Sequence, residues 1–165
     1  MKLYEPFQFL TTEECIRIIE YGKKNAIKEG TLIGAQNDQI RNNRVVWYKD
    51  SSKWTEWIKI FNNIENKIDW IQDPQISFYK PGEKYNWHND QSPSYRTHQR
   101  YFTLTCELQT GKGSQFELKG RNLRPMKVGE AVIFHSTDIH RATTPISGER
   151  ISFTIWAMAK NYHRP

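Results

Sequence analysis

A histidine and an aspartate stand two apart in Tyr85-Asn-Trp-His88-Asn-Asp90, and a further imidazole, His140, follows 50 residues after Asp90. On a β-strand side chains alternate, so His88 and Asp90 are expected on one face and Asn89 on the other. A His-x-Asp pair alone also suits a surface turn or a hydrogen-bonded pair. His140, just after the apolar run Ala131-Val132-Ile133-Phe134, adds the second imidazole. Two imidazoles and one carboxylate cover one triangular face of an octahedral ferrous ion and leave three positions open. Zinc more often closes a tetrahedron with thiolates or a third imidazole, and neither Cys15 nor Cys106 is spaced for that. The pattern therefore points to iron. Among the other histidines, His135 suits a core hydrogen bond, His98 sits in the polar stretch QSPSYRTHQR, and His163 is near the C-terminus. None has a better set of partners.

Arg150 opens the segment RISFTIWAMA, and Ser152, Thr154 and Trp156 alternate from it. One face of that strand would carry a guanidinium, two hydroxyls and an indole. Such a face is costly to bury unless something binds there. The planar fork of arginine matches a carboxylate, although a surface salt bridge with Glu149 is the plainer reading of Arg150 taken alone.

These residues need elements to hold them. Thr11 with Glu14 has the spacing of a capping box, which predicts a first helix with Cys15, Ile16 and Ile19 facing the core. Trp54, Trp57, Ile58, Phe61, Ile64 and Ile68 share one stripe of a second helix. Arg44 to Tyr48 reads as a strand between them. From Gln75 onward the runs QISFYK, YNWHND, RYFTLTCEL, SQFEL, KVGEAVIFH, IHRATTPI and RISFTIWAMA are short and β-like, with glycine-bearing turns between several of them. At least seven short strands without intervening helices predict a sandwich or jelly roll. The expected organisation is a single domain over 1–165: a helical lead with one or two strands over 1–74, then a catalytic core over 75–160.

Composition sets limits. The 165 residues suffice for one core without disulfides or structural metals. The start, MKLYEPFQFL, resembles neither a signal peptide nor a membrane span, and two cysteines without partner spacing suit a reducing compartment, so a cytoplasmic location is expected. The net charge of +6 is scattered, with no run that marks a phosphate-binding arm, so nucleic acid is possible as a partner but not favoured.

Taken together, Tyr79-Lys-Pro-Gly82, Tyr85, His88-x-Asp90, Arg100 with Thr103, Gly113-Ser-Gln-Phe116, Lys127-x-Gly129 with Phe134, His140, Gly148-x-Arg150 and Trp156 resemble the Fe(II)/2-oxoglutarate-dependent dioxygenases, in their prolyl 4-hydroxylase-like branch. FLTTEEC resembles that family's opening helix and IRNNRVVWY a segment before its core, so the resemblance covers nearly the whole chain.

The resemblance implies a double-stranded β-helix, a cupin-like jelly roll with the N-terminal helices packed on one sheet. It maps His88, Asp90 and His140 onto the iron ligands and Arg150 onto the residue that grips the distal carboxylate of 2-oxoglutarate. Tyr79, Tyr85, Thr103 and Trp156 map onto the cosubstrate pocket. Fe(II), 2-oxoglutarate and O2 are the implied reactants, with ascorbate as reductant and succinate and CO2 as products. A peptide or protein side chain, prolyl first, is the implied substrate.

Two departures stand out. Gly113-Ser114-Gln115-Phe116 replaces Gly-Gly-Glu-Thr, and Glu107 falls where several relatives carry a tyrosine, so either Glu107 points elsewhere or Arg150 offsets its charge. Other readings are a metal-binding cupin-like protein that is no oxygenase, an oxygenase acting on a free amino acid, or one acting on nucleic acid. The last is disfavoured by Trp156, which stands where nucleobase demethylases carry a second arginine. The stretch Gln91 to Gln99 is expected to be a lid, a substrate loop or a plain solvated loop.

Overall fold

The two longest strands are two-faced, and this governs the architecture. A computed structural model describes residues 1–29, 40–91 and 100–159. In it β6 (Arg100–Gln109) and β10 (Arg150–Ala159) pair antiparallel. One set of alternate residues is apolar and buried: Phe102, Leu104, Cys106 and Leu108 on β6, with Ile151, Phe153, Ile155 and Ala157 on β10. The other set carries Thr103, Thr105 and Glu107, with Arg150, Ser152, Thr154 and Trp156. The period of two sends these sets to opposite faces, which need different covers.

The larger sheet adds β1 (Phe7–Gln8), β2 (Arg44–Trp47), β3 (Ile68–Ile71), β4 (Gln75–Tyr79) and β8 (Glu130–His135). Its order is β1-β8-β6-β10-β4-β2, with β3 paired to the far end of β10. A smaller sheet of β5 (Tyr85–His88), β9 (His140–Ala142) and β7 (Phe116–Leu118) lies in the order β5-β9-β7. These are the two antiparallel sheets of a jelly roll, and the mostly-β class with flanking helices holds. The lead contributes three strands, β1, β2 and β3, rather than one or two.

Helices cover the apolar face. In α1 (Thr12–Glu29) the capping box is formed: the Thr11 N–H donates to the Glu14 carboxylate at 2.9 Å and the Glu14 N–H to the Thr11 hydroxyl at 3.2 Å. Cys15 and Ile18 are buried there, whereas Ile16 is 49% exposed, a correction to the expected core face. The stripe that meets the sheet runs through residues 15, 18 and 22, and Ile16 lies one residue, about 100°, around the helix from Cys15. Gly22 allows the approach, because a Cβ there would come within 2.8 Å of the Phe78 ring. The second helix, α2 (Trp54–Asn62), buries Trp57 and Phe61. It ends before Ile68 because the Asn62 amide exchanges hydrogen bonds of 2.9 and 2.8 Å with the Ile68 backbone, so Ile68 opens β3 instead of extending the helix.

One apolar cluster, from Leu10 to Ala159, joins both helices to the larger sheet. Only a small cluster, Leu118, Val132 and Phe134, lies on the opposite side of that sheet, so most of the space there is left polar. Among the described residues no helix is long and apolar enough to cross a membrane.

Both cysteines are free and buried in the main core. Burial, helped by the Glu14 charge, pushes the Cys15 thiol up to about 11, and burial pushes Cys106 well above the usual thiol range. Because the thiolate is the nucleophile, neither cysteine reacts with iodoacetamide at pH 8 in the native protein, and both react in denaturant. Mass spectrometry of the alkylated protein checks this.

Candidate metal centre and active site

Three ligand-type side chains converge between the sheets. Their donor atoms, one each from His88, Asp90 and His140, lie within 4.8 Å of one another. His88 Nε2 is 3.6 Å from Asp90 Oδ1, and His140 Nε2 is 3.6 Å from Asp90 Oδ2. These gaps are too long for hydrogen bonds. They approach the spacing of donors on one ion, since ligands about 2.1 Å from a metal and at right angles lie about 3 Å apart.

Register and local turns bring the three together. His88 closes β5 and pairs directly with His140, which opens β9, so the two imidazoles are cross-strand neighbours with ring centroids 4.2 Å apart. Asp90 is not on the strand, as the alternation argument expected. It lies in the bend after β5, where its backbone N–H donates to the Ser136 carbonyl at 2.9 Å.

The surrounding bonds hold the donors ready. The Nδ1 of His88 lies 2.7 Å from the Asn86 carbonyl, and that of His140 lies 2.9 Å from the Asp138 carbonyl. A carbonyl can only accept, so each Nδ1 carries the proton and each Nε2 presents its lone pair toward Asp90. The Thr103 hydroxyl donates to Asp90 Oδ2 at 2.8 Å.

Electrostatics divides the two histidines. Burial, with His140 nearby, lowers His88 to about 4, so it is neutral at physiological pH. Burial opposes charge on His140 too, but the Asp90 carboxylate outweighs it and raises that pKa. Burial would raise Asp90; His140, His88 and Arg100 together hold it far below the usual carboxylate range. Coordination requires neutral imidazoles, so a metal entering here competes with protonation of His140, which Asp90 favours.

The cavity beside the triad is lined by the polar faces of β4, β6 and β10, with Tyr79, Tyr85, Thr103, Arg150 and Trp156 all on its wall. Their roles differ in the structure. Tyr85 stacks flat on His88, with centroids 3.4 Å apart, and Thr103 is spent on Asp90; both back the triad. Trp156 is buried and its Nε1–H has no hydrogen-bond partner among the described residues, so a donor is left in the wall. Arg150 is buried against the Glu107 carboxylate, with the Nη2–Oε2 contact at 2.7 Å. Of the two outcomes open for Glu107, Arg150 offsets it. Burial nonetheless pushes the Glu107 carboxyl up, with Arg150 pulling the other way.

Several supporting residues escaped the sequence argument. Arg100 donates to the Asp90 carbonyl at 3.2 Å and lays its guanidinium 3.9 Å from the Trp156 ring. Ser136 is fully buried and its hydroxyl lies 2.9 Å from that of Thr103. Arg100 was visible only as part of a motif, and Ser136 carried no signal, because its role arises from contact across strands. His135 stands apart from the triad, its ring 5.0 Å from that of Phe102. His98, His163 and residues 92–99 of the expected loop lie outside the described residues.

A family model described as the 2OG-Fe(II) oxygenase superfamily matches residues 74–158. This chain belongs to that superfamily. As a 2OG-Fe(II) oxygenase it is an oxidoreductase, and both Fe(II) and 2-oxoglutarate fit the family and the two-histidine, one-carboxylate donor set.

Solved structures share the fold. A viral collagen prolyl hydroxylase from Paramecium Bursaria Chlorella virus-1, in a 2OG complex, aligns with TM-score 0.72 and 22% identity over 94% of this chain and 96% of its own. A prolyl-4-hydroxylase from Pseudomonas putida aligns with TM-score 0.69 and 15% identity over 95% and 92%. A non-haem alpha-ketoglutarate-dependent carbocyclase from nogalamycin biosynthesis aligns with TM-score 0.70 and 14% identity over 91% and 76%. No curated protein matches the chain.

The candidate donor set also depends on its supports. Thr103→Val keeps the shape but removes the bond that fixes Asp90. Iron affinity is expected to fall about 10- to 100-fold, the usual cost of losing such an outer partner. Competition with a chromogenic chelator measures it.

Proposed function

We propose that this oxygenase hydroxylates a peptide or protein side chain, with a prolyl residue as the first candidate. His88, Asp90 and His140 hold the iron in this reading, and Arg150 receives the far end of 2-oxoglutarate. The observation that carries it is the convergence of two Nε2 atoms and one carboxylate within 4.8 Å beside a cavity whose wall includes a buried guanidinium.

Bound together, iron and 2-oxoglutarate supply the oxidising chemistry, consuming O2, releasing succinate and CO2 and delivering one oxygen atom to the substrate. The chain supplies geometry. The carbonyls of Asn86 and Asp138 fix both imidazole tautomers, Thr103 and Arg100 fix Asp90, and Tyr85 braces His88. The Trp156 indole N–H, which has no partner among the described residues, offers a hydrogen bond to whatever enters. Phe116 and Phe134 give His140 an apolar flank, their ring centroids 5.5 and 4.8 Å from its own.

Support for a peptide comes from two neighbours named as prolyl hydroxylases that match nearly end to end. It comes also from the site's exposed edge, where Trp87 is 39% exposed and Arg141 sits 4.4 Å from its ring. Aromatic and cationic groups of this kind suit a peptide backbone and its side chains. We place the protein in the cytoplasm on the strength of its two free thiols. Ascorbate serves as reductant by the same family reasoning.

The test is direct. With Fe(II), ascorbate and 2-oxoglutarate the protein should release succinate slowly, and faster with a proline-containing peptide that gains about 16 Da, the mass of one oxygen. Succinate release that no proline peptide accelerates, while a free amino acid or an oligonucleotide does, would replace the substrate assignment. No succinate release at all would remove the reading.

A further inference from the structure

The guanidinium in the cavity wall is already engaged. Arg150 donates through Nε to both Glu107 oxygens at 3.0 and 3.1 Å and through Nη2 to Oε2 at 2.7 Å. The two residues are 1% and 4% exposed, so water does little to loosen them. Nη1 alone is left without a partner among the described residues. Glu107 reaches this position by register: it follows Thr103 and Thr105 on the cavity face of β6 and pairs with Ser152 of β10.

The consequence is electrostatic. A 2-oxo acid with a carboxylate at its far end meets an ion pair of zero net charge instead of an unpaired cation. It must share Arg150 with a second buried carboxylate, or displace Glu107 and leave that anion unpaired. Both routes are costly in a dry site. An acid whose far end is uncharged meets neither penalty. The other charged groups on the wall cannot take over, since Asp90 belongs to the triad and Arg141 is bonded to Glu117 at 2.6 Å.

We infer that Glu107 is a specificity-determining residue: by occupying the Arg150 fork it weakens the hold on a distal carboxylate. It thereby narrows the preference of this pocket for 2-oxoglutarate over 2-oxo acids with a neutral far end. The inference rests on the 2-oxo-acid reading above.

The experiment is calorimetric titration of the Mn(II)-loaded protein, wild type and Glu107→Gln, with 2-oxoglutarate and with 2-oxovalerate. The second acid carries a methyl group in place of the far carboxylate. Glutamine keeps the shape and one acceptor but frees part of the fork, so the Kd for 2-oxoglutarate is expected to fall about 10-fold or more. The Kd for 2-oxovalerate should hold within about threefold, as no charged hydrogen bond changes for it. In the wild type the two Kd values should differ by less than about 30-fold, short of what a free charge-assisted fork gives.

Unchanged or weaker 2-oxoglutarate binding in Glu107→Gln overturns the inference. So does a wider separation of the two acids in the wild type, a measurement that stands even if the variant fails to fold. Binding of neither acid to the Mn(II)-loaded wild type overturns the 2-oxo-acid reading, and the inference with it.

Discussion

His140→Ala and Asp90→Ala each lower succinate release by about 100-fold or more. Loss of a mere outer partner in a metal site costs about 10- to 100-fold, and these residues are read as the donors themselves. Iron retained after desalting should fall with activity. The two variants fail for different reasons. His140→Ala leaves His88 and Asp90 in place but opens one edge of the donor triangle. Asp90→Ala removes the only anion among the three donors and the acceptor of the Thr103 hydroxyl, so a buried site gathers imidazoles and Arg100 without their counter-charge. The control is His135→Ala, a histidine of the same barrel whose ring rests on Tyr101 and Phe102. It should retain its iron. Full turnover in His140→Ala, or iron lost equally from His135→Ala, would remove the ligand assignment.

Arg150→Met should destabilise the fold more than any surface change. Removing one partner of a buried ion pair costs about 3–5 kcal/mol, because the other charge is stranded. For a chain of this length that lowers Tm by about 10 °C. The stranded group is Glu107, 4% exposed, whose carboxyl burial already pushes up. Without the guanidinium its folded-state pKa rises further above the unfolded value. An acid raised in this way favours the fold when protonated, so its contribution is intact below the unfolded pKa and is lost as pH rises toward the folded one. The variant is therefore less stable at pH 8 than at pH 5. Arg150→Met/Glu107→Gln should lose that pH dependence and recover part of the stability. Thermal melts at the two pH values decide it. A single variant as stable as the wild type at pH 8 would show that the pair carries no buried charge.

The two predictions separate what could be read from the chain from what could not. Alternation in RYFTLTCEL and RISFTIWAMA was enough to reveal two strands with one apolar and one polar face, because side-chain direction along a strand is a local property. The capping box was legible for the same reason, both partners lying within one turn. Residue type and spacing likewise offered His88, Asp90 and His140 as a donor set, and the family resemblance added Arg150. Where local rules compete, residue pattern alone does not decide the outcome. Ile68 continues the stripe of α2, yet the Asn62 side chain bonds its backbone and sends it into β3. Ile16 looked as apolar as Ile18, but only the docking of α1 on β4 decides which turns outward.

What the amino-acid order determined by itself was the chemistry on offer: two imidazoles, a carboxylate, a guanidinium, and strands able to carry them. Tertiary structure alone decided how those groups meet. The pairing of β5 with β9 sets His88 against His140, and a bend held by Ser136 turns Asp90 toward both. The register of β6 against β10 places Glu107 on Arg150 across 43 residues of chain. Such contacts have no signature in the linear order. They depend on which strands pair and in what register, and that is settled by burying the apolar faces under the helices, on the other side of the sheet from the candidate site.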